Sequence, residues 1–129
     1  MKIRIQDGLP YVTATLTYRG QQLVLDKVVL DTGSAGTIFP VEKVAAIGLL
    51  PEPHDALHRI RGVGGAEFVF TKRVDSLALG ELQVSGFEIE VGAMEYGFDI
   101  EGIIGMDFLT QARAIMDLSR MEIYRAPGK

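Results

Sequence analysis

The chain reads Val28-Val29-Leu30-Asp31-Thr32-Gly33-Ser34-Ala35 where an apolar run meets an acidic residue. Gly33 permits a tight turn after Asp31. The backbone N–H groups of such a turn, together with the Ser34 hydroxyl, can donate hydrogen bonds to the carboxylate and orient it. The segment therefore predicts a strand that ends on a held carboxylate, although a simple Asx turn at a strand end has the same short pattern.

Two further segments stand downstream of this one. Residues 60–70 read as a strand, a glycine-rich tip and a returning strand. Gly102-Ile103-Ile104-Gly105 then precedes a predicted short helix from about Asp107 to Gln111. The glycine-rich tip has no Lys-Ser/Thr pair and no helix after it, so nucleotide binding is not predicted.

The remaining pattern is that of short strands and turns. Alternating residues predict a hairpin over residues 11–30 with Gly20 in the turn, and a second strand pair over 74–79 and 83–91. A helix is expected over 41–47, with Pro40 near its start and Gly48 at its end. Residues 49–58 are expected to form a loop, and two short strands, 113–118 and 121–124, close the chain.

Together the three segments resemble the signatures of retropepsin-like aspartic proteases. In that family apolar residues lead into Asp-Thr-Gly-Ser or Asp-Thr-Gly-Ala, a flap follows, and two apolar residues and a glycine pass beneath the active-site loop. The resemblance implies one mostly β domain over residues 1–129. It would be a closed barrel with one helix after the active-site loop, a short second helix and a flap at about 59–70.

The resemblance also implies roles for individual residues. Asp31 would be the catalytic carboxylate, Thr32 would bond across a dimer axis, and Ser34 would bond an outer oxygen of the carboxylate. A donor to the ionised form favours that form, which predicts an acidic pH optimum. Three groups complete the expected site: the loop residues Thr32, Gly33, Ser34 and Ala35, the flap residues Ile60, Gly62, Val63, Gly64 and Gly65, and Ile103, Ile104 and Gly105 beneath the loop.

The single Asp-Thr-Gly has a consequence for assembly. Aspartic-protease chemistry needs two close carboxylates that share one proton. A two-fold axis would supply the second from another copy of the chain. Asp107 or Asp99 could serve within the chain instead, but Asp107 is expected to cap the short helix and Asp99 to lie in a solvated loop.

The chain departs from the best-known retroviral enzymes in two places. Those enzymes carry acidic residues near the position of Gly36 that bind the substrate backbone, whereas this chain has none after Asp31 until Glu42. Retroviral dimers are also held by a sheet of interleaved chain termini. Residues 1–6 could supply one such strand, but residues 121–124 are short.

Composition limits the other functions. The net charge is −4 and the basic residues are scattered, so no nucleic-acid surface is predicted. There is no Cys, and His54 and His58 follow Pro51 and Pro53 without helical periodicity, so no metal and no cofactor are expected. Neither a signal peptide nor a membrane span is predicted, and a cytoplasmic location is expected.

The sequence thus predicts an aspartic endopeptidase that is active as a homodimer. One alternative is a catalytically silent dimer that binds peptides or directs assembly on the same fold. A second is a protease that excises itself from a larger polyprotein.

Overall fold

The computed structural model describes residues 1–62, 65–94 and 99–128, with the side chains of residues 58–62 and 65–67 excepted. The expected flap residues Val63 and Gly64 lie outside this description. Within it, strands hold 54% of the residues and helices 11%, so the predicted mostly β class is confirmed.

Ten strands and two α-helices occur in the described ranges, and a 3-10 turn follows the first helix. Their bounds are β1 Arg4–Gln6, β2 Leu9–Tyr18, β3 Gln21–Leu30, β4 Ile38–Pro40, α1 Val41–Val44, the 3-10 turn Ala45–Ile47, β5 Leu57–Gly62, β6 Gly65–Leu79, β7 Leu82–Gly92, β8 Gly102–Ile104, α2 Met106–Gln111, β9 Ala114–Asp117 and β10 Glu122–Arg125.

Eight of the strands form one sheet in the order β1-β2-β3-β8-β4-β7-β6-β5, and an additional pairing of β2 with β6 closes it into a ring. The closing pairs are Thr15 with Ala78, Leu16 with Leu77 and Thr17 with Ser76. Closure removes the free edges of the ring strands. The closed barrel that the sequence predicts is therefore present.

The core fills the inside of this ring because alternate strand residues point inward. Val12, Ala14 and Leu16 of β2 are fully buried, as are Ile89 and Val91 of β7. Helix α2 covers the barrel with Phe108, whose ring meets that of Phe87 edge to face at 5.6 Å between centroids. Burial of one such side chain stabilises the fold by about 1.5–3 kcal/mol.

A parallel pairing inside the ring positions the functional site. Val28, Val29 and Leu30 of β3 pair with Gly102, Ile103 and Ile104 of β8. Ile103 also pairs with Ile38 of β4 on the other side. Both β3 and β8 therefore end at the same edge of the sheet, and the loop after Leu30 lies against the residues after Ile104.

The predicted elements agree with the structure in most places and differ in three. The helix expected over 41–47 is one α turn followed by a 3-10 turn, and it ends at Gly48, whose φ is +77°. Strand β6 was expected to break between Phe70 and Val74, but it runs unbroken because Lys72 and Arg73 pair with Ile89 and Glu88 of β7. The loop expected over 49–58 also ends early, since β5 begins at Leu57.

The chain termini form a small sheet of their own. β9 pairs with β10, and residues 1–3 lie along the other side of β10. The Ile3 N–H donates to the Met121 carbonyl at 2.8 Å and the Ile123 N–H donates to that of Met1 at 2.9 Å. In this structure the first residues therefore close the terminal sheet of their own chain. No helix in the described part of the chain is both long and apolar enough to cross a membrane.

Candidate active site

Asp31 directly follows β3 and is held on both sides by backbone. Its N–H donates to the Ile104 carbonyl at 2.9 Å, which ties it to β8. Its own carbonyl accepts the Ser34 N–H at 3.1 Å, which closes a turn. Within that turn the Gly33 N–H donates to Oδ1 of Asp31 at 2.9 Å. The half-buried carboxylate is thus oriented as the sequence predicts.

Ser34 supports the loop in a different way from the one expected. Its hydroxyl donates to the Gly36 carbonyl at 2.7 Å. A hydroxyl has one proton to donate, so in this arrangement the expected bond from Ser34 to the Asp31 carboxylate does not form. Ser34 thus stabilises the end of the loop at Gly36. Because it does not donate to the Asp31 carboxylate, it gives no reason to expect an acidic pH optimum.

Gly105 lies directly beneath this loop. A Cβ on residue 105 would lie 2.2 Å from the Gly36 carbonyl oxygen and 2.8 Å from that of Ser34, a space that only glycine fits. The next two residues hold the loop from below, because the Met106 N–H donates to the Ser34 carbonyl at 2.8 Å and the Asp107 N–H to that of Ala35 at 3.3 Å. The first turn of α2 therefore supports the active-site loop.

Thr37 is a residue beside the active-site loop that the sequence did not point to. It is fully buried, and its hydroxyl donates to Oδ1 of Asp107 at 2.7 Å while accepting the Gly105 N–H at 3.0 Å. The Thr37 N–H also donates to Oδ2 of Asp107 at 3.3 Å. A hydroxyl at a strand start has no distinctive spacing, so nothing in the sequence marks this link.

The two acidic residues weighed as partners within the chain have other contacts. Asp107 Oδ1 accepts the Phe108 N–H at 2.8 Å in addition to the Thr37 hydroxyl, so it provides an acceptor for an N–H in the first turn of α2 and anchors the loop. The side chain of Asp99 is 81% exposed and pairs with Lys27 at 3.4 Å. These contacts agree with the structural roles expected for both residues.

One comparison with known proteins now bears on this geometry. The sequence model of a family described as aspartyl protease matches residues 13–108, well over half of the chain. This chain belongs to the aspartyl protease family. No curated protein matches it significantly. The match spans the Asp-Thr-Gly loop, the β5–β6 hairpin and the Gly-Ile-Ile-Gly segment, which are the three segments that carried the resemblance.

The family's expected flap falls on the β5–β6 hairpin. Ile60 pairs with Glu67, and Gly62 pairs with Gly65 at the end of the ladder. Beyond the pair of Val69 with Gly92, β6 has no further partner in β7, so the hairpin extends past the sheet on its own two strands. The other expected flap residues lie outside the described ones.

Beneath the loop of this family member, β8 presents its residues on two sides. Ile104 is fully buried in the core, while Ile103 is half-buried on the opposite side of the strand. Gly102 is packed against the ring of Phe39, since a Cβ there would lie 2.7 Å from a ring carbon. The predicted residues beneath the loop are therefore brought together with it.

A depression of about 440 Å³ lies beside the exposed Thr32 of this aspartyl protease. It runs from the loop across α2 to β9, and its lining is mostly apolar, formed by Thr32, Met106, Leu109, Thr110, Arg113, Ala114 and Met116. Met106 is 39% exposed at its rim. The surface that contains Thr32 thus continues without interruption into the terminal sheet.

A separate polar cluster joins Lys72 of β6 to the segment that was expected to form a loop over residues 49–58. Lys72 is 6% exposed, and its ammonium group bonds the carboxylates of Glu52 and, at 3.0 Å, Asp55. Donor atoms of Glu52, His54 and Asp55 lie within 4.8 Å of one another, a spacing that a metal ion could bridge. Lys72 already supplies the cation between the two carboxylates, so the cluster is a salt bridge.

This salt bridge changes how its members titrate. The hydrogen bond from Lys72 lowers the pKa of Glu52 below its ordinary value. Burial acts to raise the pKa of Asp55, but the Glu52 N–H and the Lys72 ammonium outweigh it and the pKa is lowered. Burial acts to lower the pKa of Lys72, but the hydrogen bonds to its two carboxylate partners outweigh burial and the pKa is raised. The cluster therefore stays charged into the acidic range.

Proposed function

We propose that the chain is an aspartic endopeptidase, active as a homodimer, whose catalytic dyad consists of Asp31 and the Asp31 of a second copy. The observation that carries this is the oriented Asp31 carboxylate in a chain of the aspartyl protease family that has one Asp-Thr-Gly. Asp107 and Asp99 are engaged elsewhere, which supports a second copy as the source of the other carboxylate.

The chemistry follows from two carboxylates that share one proton. The ionised carboxylate removes a proton from a water molecule, whose oxygen attacks the scissile carbonyl carbon. The protonated carboxylate donates to the carbonyl oxygen, and a tetrahedral intermediate forms. Return of a proton to the amide nitrogen breaks the carbon–nitrogen bond, and no covalent enzyme intermediate arises. The mechanism requires one of the two carboxyl groups to keep its proton, which favours activity in acid.

The surface around Thr32 supports association of two copies. The depression beside Thr32 is apolar and continuous with β9, as expected of a surface covered in an assembly. β10 is paired on both sides, by β9 and by residues 1–3, whereas no described strand pairs with the outer edge of β9. We therefore propose that β9 and the depression, rather than an exchanged N-terminal strand, meet the second copy.

The β5–β6 hairpin is proposed to act as the flap over a bound peptide. Its extension beyond the last β6–β7 pair supports this, since a hairpin held only by its own ladder can move relative to the sheet. Ile60, Gly62, Val63, Gly64 and Gly65 would then lie against the peptide backbone, with Ile103 below it.

The test is cleavage of a mixed peptide library across pH by the native chain and by Asp31→Asn. The proposal expects cleavage by the native chain, mostly in acid, and none by Asp31→Asn, a change that keeps the shape of the side chain and removes its charge. Equal cleavage by both would show that Asp31 is not the catalyst. If neither cleaves at concentrations where sedimentation shows dimers, the silent binding module replaces this proposal.

A further inference from the structure

Strand β7 presents one carboxylate to the active-site loop. Glu90 stands between Ile89 and Val91, which are fully buried, so its side chain points to the opposite face of the strand. Its N–H donates to the Thr37 carbonyl at 2.8 Å, and it pairs with Ile38 in the parallel ladder of β4 and β7. These contacts fix Glu90 at the point where the loop re-enters the sheet.

The carboxylate itself lies against Gly36. A Cβ on residue 36 would lie 2.4 Å from Oε1 of Glu90 and 3.1 Å from its Cδ. The carboxylate therefore fills the space that a side chain at position 36 would fill. The loop has no acidic residue of its own after Asp31, so β7 provides the negative charge at this end of the loop.

The same carboxylate is close to the base of the β5–β6 hairpin. Glu90 pairs with Thr71 of β6, two residues before the last β6–β7 pair of Val69 with Gly92. A peptide held between the loop and the hairpin would therefore pass Glu90. Gly36 is five residues from Asp31, at most about 18 Å along an extended chain. The turn closed by the Ser34 N–H on the Asp31 carbonyl makes the true separation shorter than this limit. An extended peptide advances about 3.3 Å per residue, so its residues about two to four from the scissile bond come near this carboxylate.

We propose that Glu90 is a specificity-determining residue that favours a Lys or Arg side chain at one such substrate position. The inference rests on the proposed protease function. A half-buried carboxylate attracts a cation more strongly than a fully solvated one, because the surrounding dielectric is lower. A carboxylate also has about four acceptor positions, so it can bind a substrate cation beside contacts within the chain.

The first experiment compares paired peptides that differ only in Lys or Met at each position about two to four residues from the cleaved bond. At one of these positions the native chain should cleave the Lys peptide about tenfold more efficiently in kcat/KM, as a charged hydrogen bond predicts. Glu90→Gln should abolish that ratio by lowering kcat/KM for the Lys peptide to that for the Met peptide.

Glu88→Gln is the matched control. Glu88 lies on the same strand and the same face, two residues from Glu90, but it is exposed and pairs with Arg73 in the ladder. It should keep the native Lys-to-Met ratio. A native chain with no preference for Lys, or a Glu90→Gln variant that retains it, would overturn the inference.

A binding measurement separates this inference from the protease proposal. Fluorescence anisotropy of the same labelled peptides with Asp31→Asn, alone and combined with Glu90→Gln, needs no turnover. The native chain could show no cleavage while Asp31→Asn binds the Lys peptide about tenfold more tightly than the Met peptide, and only when Glu90 is present. The protease proposal would then fail and the specificity inference would stand. If cleavage occurs and binding does not distinguish the peptides, the specificity inference fails alone.

Moving the carboxylate from residue 90 to residue 36 tests whether its position determines the preference for Lys. The φ of Gly36 is not among the positive values, so this residue can carry a side chain once Glu90 is shortened. The double variant Gly36→Asp/Glu90→Ala should therefore recover the preference for Lys that Glu90→Ala alone loses. A double variant without a preference for Lys would show that a negative charge beside residue 36 does not determine which substrates bind.

Discussion

At the scale of single residues, the groups that contact the active-site loop most directly carry no charge. A glycine N–H orients Asp31, a glycine without Cβ lets the loop rest on β8, and a buried threonine joins the loop to α2. Because backbone groups cannot change rotamer, they hold the carboxylate in one place before substrate arrives. The position of Asp31 therefore depends on residues that take no part in the chemistry.

Thr37 gives the clearest test at this scale. Thr37→Val keeps the shape of the side chain but leaves the buried Gly105 N–H without its acceptor and removes one of the two hydrogen bonds to Oδ1 of Asp107. We expect the free energy of unfolding to fall by about 1–3 kcal/mol, measured by urea denaturation. Activity should fall further, because the loop loses its support.

The matched control for Thr37→Val is Thr13→Val. The hydroxyl of Thr13 bonds Asp26 at 3.3 Å in an exposed position, so its loss should change the free energy of unfolding by no more than about 0.5 kcal/mol. Equal effects of the two substitutions would contradict the role given to Thr37.

At the scale of elements, sequence patterns predicted the strands, turns and helix whose formation depends on residues close together in the sequence. The β2–β3 hairpin, the turn at Gly80 and α2 follow from alternation, glycine placement and apolar spacing, and all are present. The unbroken β6 was not predicted, because Lys72 interrupts the apolar pattern and its acidic partners Glu52 and Asp55 lie far away in sequence. For the same reason the carboxylate of Glu90 near Gly36 could not be predicted, since strand register brings it there.

The salt bridge of β6 predicts a pH dependence of stability. Since the pKa values of Glu52 and Asp55 are lowered on folding, their contribution is present above their ordinary values of 4.5 and 3.8 and is lost as pH falls through the lower folded values. Lys72→Met should lower Tm at neutral pH by several degrees. The difference from the native chain should shrink as the pH is taken down to about 2.

Lys43→Met is the control for this cluster. Lys43 pairs with Glu101 at 3.4 Å, but its side chain is 43% exposed, so its replacement should change Tm little at any pH. Calorimetric Tm curves of Lys72→Met that run parallel to those of the native chain at all pH values would contradict the prediction that Lys72 stabilises the fold through the ionised carboxylates of Glu52 and Asp55.

At the scale of the whole molecule, one chain provides half of the dyad that the proposed chemistry requires. One chain provides one oriented Asp31, and the exposed Thr32 beside it opens onto an apolar depression that reaches the terminal sheet. The sequence predicted the need for a second copy by counting carboxylates. It could not predict which surface meets that copy, because the pairing of residues 1–3 with β10 joins the two ends of the chain.

The proposed interface predicts the effect of a charge at its rim. Met106→Glu places a carboxylate in the depression at the first position of α2, where a negative charge is favourable for the helix itself. Sedimentation should show the Kd of the dimer raised by about tenfold or more, with activity reduced in parallel and Tm of the chain little changed. Val24→Glu changes an equally apolar residue that is 59% exposed on β3, and it should leave the dimer intact.

The most direct test of the central claim is the activity of mixtures of the native chain with Asp31→Asn at constant total concentration, after the subunits have exchanged. If each site takes one Asp31 from each of two copies, activity falls with the square of the native fraction, to about a quarter in an equal mixture. If one chain carried a complete site, activity would fall in proportion, to about half, and the shared dyad would be contradicted.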